Sequence, residues 1–351
     1  MGRAADPLCV GLIVPLQGPA GIFGPSCEAV ATTALRSIND TGILGRELTI
    51  EVVDGGAPPE QVAAEVDRLI AAGRIEAVTG WHISAVREAV APVTAGRIPY
   101  VYTSLYEGGE DRPGVFCSGE TPTRQIAPAL RWLRDVCGVR TWFVVGDDYI
   151  WPRASVAATT LFARELGLRL AGTAFVPLGT EDYTAVLERI AGSDAQGVLL
   201  YLVGQDAVQF NRAFAEYGLH DRLIRFTPLM EENMLLASGI DATVNLFVCA
   251  SYFRSLATSS ALDFGADYVD QHGPEAPPLN NAAESCYEGL MTLAALAGRA
   301  GSLDVNRMLA VADGLGYDGP RGAVSFVGNH LQQPVHLAVA EGFDFDVLAT
   351  L

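Results

Sequence analysis

"VVGDDYIWPR", residues 144–153, decides how this chain of 351 residues is read. Residues 142–145 are aromatic or β-branched, the kind that fills a buried strand. Gly146-Asp147-Asp148 breaks the run, and a helix-like pattern then continues to residue 166. A strand handing over to a helix across a short turn is half of a βαβ unit. It sets the carboxyl end of a parallel strand beside the free N–H groups of a helix. Tyr149 and Trp151, two large aromatics with polar edges, crowd that turn. Such rings suit a pocket wall, because one polar atom can bond a ligand while the ring covers apolar surface.

The alternation extends in both directions. Upstream, strands are expected at 9–14, 48–53, 77–79 and 99–102, with helices at 26–40, 59–72 and 84–95. Downstream, strands at 141–145, 171–176, 197–202 and 223–226 alternate with helices ending near 136, 166, 191 and 217. That is too many strands for one ordinary sheet, and predicts an α/β chain of two doubly wound, Rossmann-like lobes. The tail fits a TIM barrel poorly: a strand near 245–249, helices near 262–271, 281–299 and 303–312, then a strand at 319–326. It closes with a hairpin inside 333–348, with Glu341-Gly342 at its turn. Crossings near 117–121, 249–252 and 322–326 would join the lobes through a multi-strand hinge. One lobe is then 1–120 plus 251–324, the other 121–250 plus 325–351, and the cleft between them can close on a small ligand.

Composition excludes several functions. All 23 basic residues are arginine, so neither a Walker A lysine nor a lysine Schiff base is available. A net charge of −18 without a basic patch disfavours nucleic acid. The six dispersed cysteines form no CxxC pair and read as buried thiols; the five histidines lack close ligand spacing, so no metal is expected. There is no GxSxG elbow and no GxGxxG, hence no nucleophile constellation and no cofactor. The opening "MGRAADPLCVGLIVPLQGP" reads as a first strand rather than a signal-peptide core. With Met1 as the start this predicts a cytoplasmic protein; a periplasmic or extracellular one would need a leader already removed.

Three strand-to-helix turns are candidates for a pocket. In "GWHISAVREAVAPV" (80–93), Ser84 sits where an N-cap belongs, able to cap the N–H of Val86 or Arg87 or to hold a ligand oxygen, with Trp81 and His82 beside it. In "YTSLYEGGE" (102–110), Tyr102, Thr103, Ser104 and Tyr106 bring hydroxyls to another carboxyl end. Tyr149 and Trp151 form the third. Hydroxyls and aromatics with few charges describe a small neutral polar ligand. The adjacent acids Asp147-Asp148 and Glu231-Glu232 read as solvated turns, and Arg87 and Arg153 as paired or solvated helix residues.

Together "GWHISAVREAVAPV", "YTSLYEGGEDRPGVFCSGETPTRQIAPALRWL", "VVGDDYIWPR" and "FVPLGTEDYTAVLERI" resemble the type I periplasmic-binding-protein superfamily over nearly the whole chain. Within it they look like the amide sensors of bacterial amidase operons and the urea-binding components of ABC transporters. The resemblance implies that Ser84 engages the ligand, Tyr102 and Ser104 line the first lobe, and Tyr149 reaches across from the second. Trp151 and His82 fall at positions of other pocket aromatics, and Ser104 replaces a threonine of the amide sensors. Leu229, in "RFTPLMEE" (225–232), stands where amino-acid-binding relatives carry a glutamate for the ligand ammonium, which disfavours leucine-type ligands. The implied function is non-enzymatic sensing of a short aliphatic amide or urea, controlling an antiterminator-type regulator, in a protein that pairs as a homodimer. The alternative is the extracytoplasmic receptor of an ABC importer for urea, amides or branched-chain amino acids, with a permease as partner.

Overall fold

The computed structural model describes residues 6–351. The chain first lays down β1 (Leu8–Val14), α1 (Gly24–Thr41), β2 (Leu48–Asp54), α2 (Pro59–Ala71), β3 (Ala77–Gly80), α3 (Ser84–Thr94), β4 (Tyr100–Tyr102) and β5 (Val115–Cys117). It then crosses to a second lobe of α4 (Pro122–Val136), β6 (Thr141–Asp147), α5 (Ile150–Leu166), β7 (Arg169–Val176), α6 (Thr184–Ala191), β8 (Gly197–Tyr201), α7 (Gln205–Glu216), β9 (Ile224–Thr227), α8 (Glu232–Ser238) and β10 (Leu246–Ala250). A return to the first lobe adds α9 (Ser259–His272), α10 (Asn281–Ala300), α11 (Val305–Ala312), β11 (Gly316–Gly319), β12 (Gly322–Val327) and β13 (His330–Gln332). A last crossing gives the hairpin β14 (His336–Glu341) and β15 (Asp344–Thr350).

Both sheets repeat one strand order. The first runs β2-β1-β3-β4-β5 and continues through β13, β12 and β11; the second runs β7-β6-β8-β9-β10 and continues through β14 and β15. The five leading strands of each are parallel, and antiparallel pairs complete the edges. The strand order reverses between β1 and β3 in one lobe and between β6 and β8 in the other, and ligands of open α/β sheets bind outside such switch points. Local signals explain the helix ends. Pro59 and Pro122 open α2 and α4, where a missing N–H costs nothing; Asn280 caps α10 through Ala283 N–H at 2.8 Å; Gly42, Gly167 and Gly301 stop α1, α5 and α10 in the left-handed region.

Two expectations need correction. The third crossing lies at 333–335, not 322–326, because β12 and β13 pair into the first sheet and only β14 and β15 join the second. The first lobe therefore reaches Gln332, past the boundary at 324. Strands β5, β11 and β13 are also absent from the expectation: at three or four residues each, they are too short to show a period of two.

Candidate functional site

The turns after β3, β4 and β6 meet at the cleft. Ser84 is the first helical residue of α3, not its cap. The N–H groups of Val86 and Arg87 are taken by the Ile83 carbonyl at 2.9 and 3.3 Å. Freed from capping, the Ser84 hydroxyl donates to Glu107 Oε2 at 2.7 Å and lies 3.5 Å from the Tyr102 hydroxyl. Glu107 Oε1 accepts from Arg87 at 2.7 Å. Arg87 is buried, held also by Glu88 and Glu110 and lying over the rings of Tyr102 (5.5 Å) and Tyr106 (4.9 Å). A glutamate brought back from the loop after β4 thus sits at the N-terminus of α3, where a helix favours an anion.

Around this pair, other candidates build the wall instead of offering free groups. The Tyr102 hydroxyl donates to the His82 carbonyl at 3.0 Å; Ser104 donates to the same carbonyl at 2.7 Å and accepts the His82 N–H at 2.9 Å. His82 is fully buried, its Nδ1 3.2 Å from the Ile13 carbonyl and its Nε2 2.6 Å from the Tyr100 hydroxyl. Burial pushes its pKa down to about 3, the Arg87 charge adding to the effect, so the ring is neutral: Nδ1 donates to Ile13 and Nε2 accepts from Tyr100. No polar atom of the His82 ring is left over for a ligand. The ring thus frames the turn through its two partners.

From the second lobe, Tyr149 precedes α5 in extended conformation, and its hydroxyl has no hydrogen-bond partner among the described residues. Its pKa lies well above the ordinary tyrosine value through burial, then through Asp147 of its own lobe and Tyr102 and Glu107 of the other. Packing of α3 against α5 brings the turn that carries Tyr149 to the same side as the start of α3. Trp151 is buried behind Tyr149, ring centroids 6.3 Å apart, and meets the edge of Tyr201 at 5.6 Å. Asp148 is exposed and pairs with Arg153, but Asp147 is fully buried, so the solvated-turn reading fails for it. One Asp147 oxygen accepts the Val203 N–H at 2.8 Å. Burial and neighbouring Asp206 hold its pKa well above the carboxylate range. Glu231 and Glu232 are likewise buried, Glu231 on the Ala282 N–H at the start of α10 (3.3 Å) and Glu232 on the Arg254 N–H (2.7 Å). Sequence reasoning could not see these partners, which lie about 20 to 60 residues away along the chain.

The lobes touch. Asn233 donates to the Ile22 carbonyl at 2.8 Å, and α3 packs on α5. A Cβ on Gly204 would come within 2.2 Å of the Pro19 carbonyl oxygen. Beside the polar groups lies a mainly apolar cavity of about 270 Å3, walled by Pro19, Pro58 and Ile83 from one lobe and Leu178 and Val203 from the other.

With two lobes, three crossings and a cleft at both switch points established, comparison with known proteins adds the family. A family model described as "Periplasmic binding protein" matches residues 7–344. The chain belongs to the periplasmic binding protein family. This binding protein is not an enzyme. It is 25% identical to Leu/Ile/Val-binding protein homolog 6 of Brucella melitensis, over 95% of this chain and 87% of that one. In fold it is similar to a solute-binding protein of an ABC transporter from Rhodopseudomonas palustris, solved with p-hydroxybenzoic acid (TM-score 0.88, 20% identity, 99% and 96% of the two chains). It is also similar to a branched-chain amino acid transporter substrate-binding protein of Streptococcus pneumoniae, solved with isoleucine (TM-score 0.84, 14% identity, 99% of each chain). Among the described residues, no helix is long and apolar enough to cross a membrane and no cluster of ligands could hold a metal.

Proposed function

We propose that this is the solute-binding component of an ABC-type importer, and that its solute is small, uncharged and rich in N–H groups, of the short aliphatic amide or urea class. The observation that carries the ligand class is Glu107 on the Ser84 hydroxyl at 2.7 Å, at the N-terminus of α3. An internal carboxylate already occupies the place where a helix terminus and a serine would receive a ligand carboxylate. A second carboxylate there would meet like charge in a partly dehydrated cleft. Glu107 instead accepts N–H groups, and the Tyr149 hydroxyl, facing it from the other lobe, can donate to a carbonyl. Three glutamates surround Arg87, so its charge is already matched. The adjoining apolar cavity suits a short alkyl substituent.

The family and the relatives favour an importer component, with a permease as partner and a place outside the cytoplasm. They do not favour the cytoplasmic amide sensor with an antiterminator partner that the resemblance implied. Calorimetric titration with acetamide, propionamide, urea, leucine and benzoate tests the ligand class. Binding of an amide or urea, and not of the two acids, is expected; tight binding of leucine or benzoate by the unaltered protein overturns it. Glu107→Gln should weaken the amide and relax the exclusion of acids.

A further inference from the structure

A cavity of about 210 Å3 lies at the hinge, apart from the cleft, between the first crossing (Gly119 to Arg124) and the third (His330 to Val335). None of Ser84, Tyr102, Glu107 or Tyr149 lines it. Two of its lining residues have buried side chains that carry an atom with no hydrogen-bond partner among the described residues: Glu120 Oε2 and Gln333 Nε2. Their orientations follow from their other ends. Glu120 Oε1 accepts from Ser251 N at 2.8 Å and Asn281 Nδ2 at 3.2 Å, leaving Oε2 over. Gln333 Oε1 accepts from Arg321 Nη1 at 3.2 Å; a guanidinium only donates, so the free end of Gln333 is its NH2 group. Arg124, at the rim, donates to the Gln333 carbonyl at 3.2 Å and brings a full positive charge.

Leaving a buried carboxylate oxygen and a buried amide N–H unmatched is costly, so the cavity calls for an occupant with complementary groups. A lone cation would meet the Gln333 amide and the Arg124 guanidinium. A lone anion would meet Glu120. We propose that this hinge cavity binds a small zwitterion of the α-amino-acid type, its ammonium on Glu120 and its carboxylate between Gln333 Nε2 and Arg124. The volume suits glycine or alanine. Glu120 also holds Ser251, in the second crossing, so an occupant ties together all three segments that must rotate when the lobes move. Its binding is therefore coupled to cleft closure, and the coupling is reciprocal.

The test is calorimetry with glycine on the full chain, in wild type and four variants. One glycine per chain should bind, within about twofold of wild type in Ser84→Ala and Tyr149→Phe. Binding should weaken roughly ten- to a hundredfold in Arg124→Ala and in Gln333→Glu, which keeps the shape and the acceptor for Arg321 while replacing the donor. Arg124 is exposed, so its variant decides alone if Gln333→Glu does not fold. The proposal is overturned if glycine gives no saturable heat, if the cleft variants abolish its binding, or if neither hinge variant changes it. Acetamide binding at the hinge as tightly as glycine, judged by the same Arg124→Ala loss, would overturn the zwitterion assignment.

Discussion

Glu107 organises the first-lobe half of the cleft, though no local motif marks it. It accepts from Ser84 and Arg87, 23 and 20 residues away, and only the fold makes those neighbours. Removing Arg87 would strand Glu107 and Glu110 with less counter-charge in a buried site. Arg87→Ala should therefore lose about 3 kcal/mol or more of stability, read as a lower urea midpoint at unchanged slope. A shift within error would show that water or Arg112 already compensates these carboxylates. Tyr149→Phe removes one unpartnered hydroxyl and little else, so ligand affinity should fall roughly tenfold with stability intact. The positions of Ser84, Tyr102 and Tyr149 at strand ends and helix starts were legible because those ends can be read from hydrophobic period and breakers. The role of His82 was not, since an aromatic at a pocket turn looks the same whether its edge faces ligand or, as here, Ile13 and Tyr100.

At the scale of elements, the entry to α7 carries a close approach between lobes. Gly204 has φ 53° and sits against the Pro19 carbonyl, so a methyl group there meets both backbone strain and a steric block. Gly204→Ala should weaken the ligand at least about tenfold and leave the ligand-saturated protein as expanded in small-angle scattering as the ligand-free one. Normal compaction would mean that the lobes close along another path. The start of α8 makes another inter-lobe contact, Glu231 resting on the N-terminus of α10. Burial raises the Glu231 pKa to about 8, with Glu232 adding, and raises Glu232 to about 7. Groups raised in the folded state stabilise it below their ordinary pKa of about 4.5 and lose that contribution as pH rises through their folded values. His82 runs the other way, contributing above about 6.5 and losing its share as pH falls toward 3. Between pH 6.5 and 8 the glutamates alone among these three titrate, so the urea midpoint should fall, and Glu231→Gln should flatten the fall. Equal slopes in both proteins would contradict this. Long amphipathic helices and buried strands were plain in the sequence; β5, β11 and β13 were not, because pairing with neighbours rather than their own pattern makes them strands.

The molecule as a whole is two copies of one sheet order joined by three crossings, with charge kept off the cleft except where it is spoken for. The third crossing was placed too early because "GPRGAVSF" reads as a strand without saying which sheet it joins; only pairing with β13 and β11 decides that. On the proposed reading, closure would bring Tyr149 down on the Ser84–Glu107 pair and make affinity and shape change one event. A crystal structure of the protein with propionamide tests this most directly. Expected are closed lobes, the amide NH2 on Glu107, the carbonyl within hydrogen-bond distance of the Tyr149 hydroxyl, and the ethyl group toward Pro19 and Leu178. An amide bound elsewhere, or Glu107 swung away to leave the α3 N-terminus to an acid, would contradict this reading.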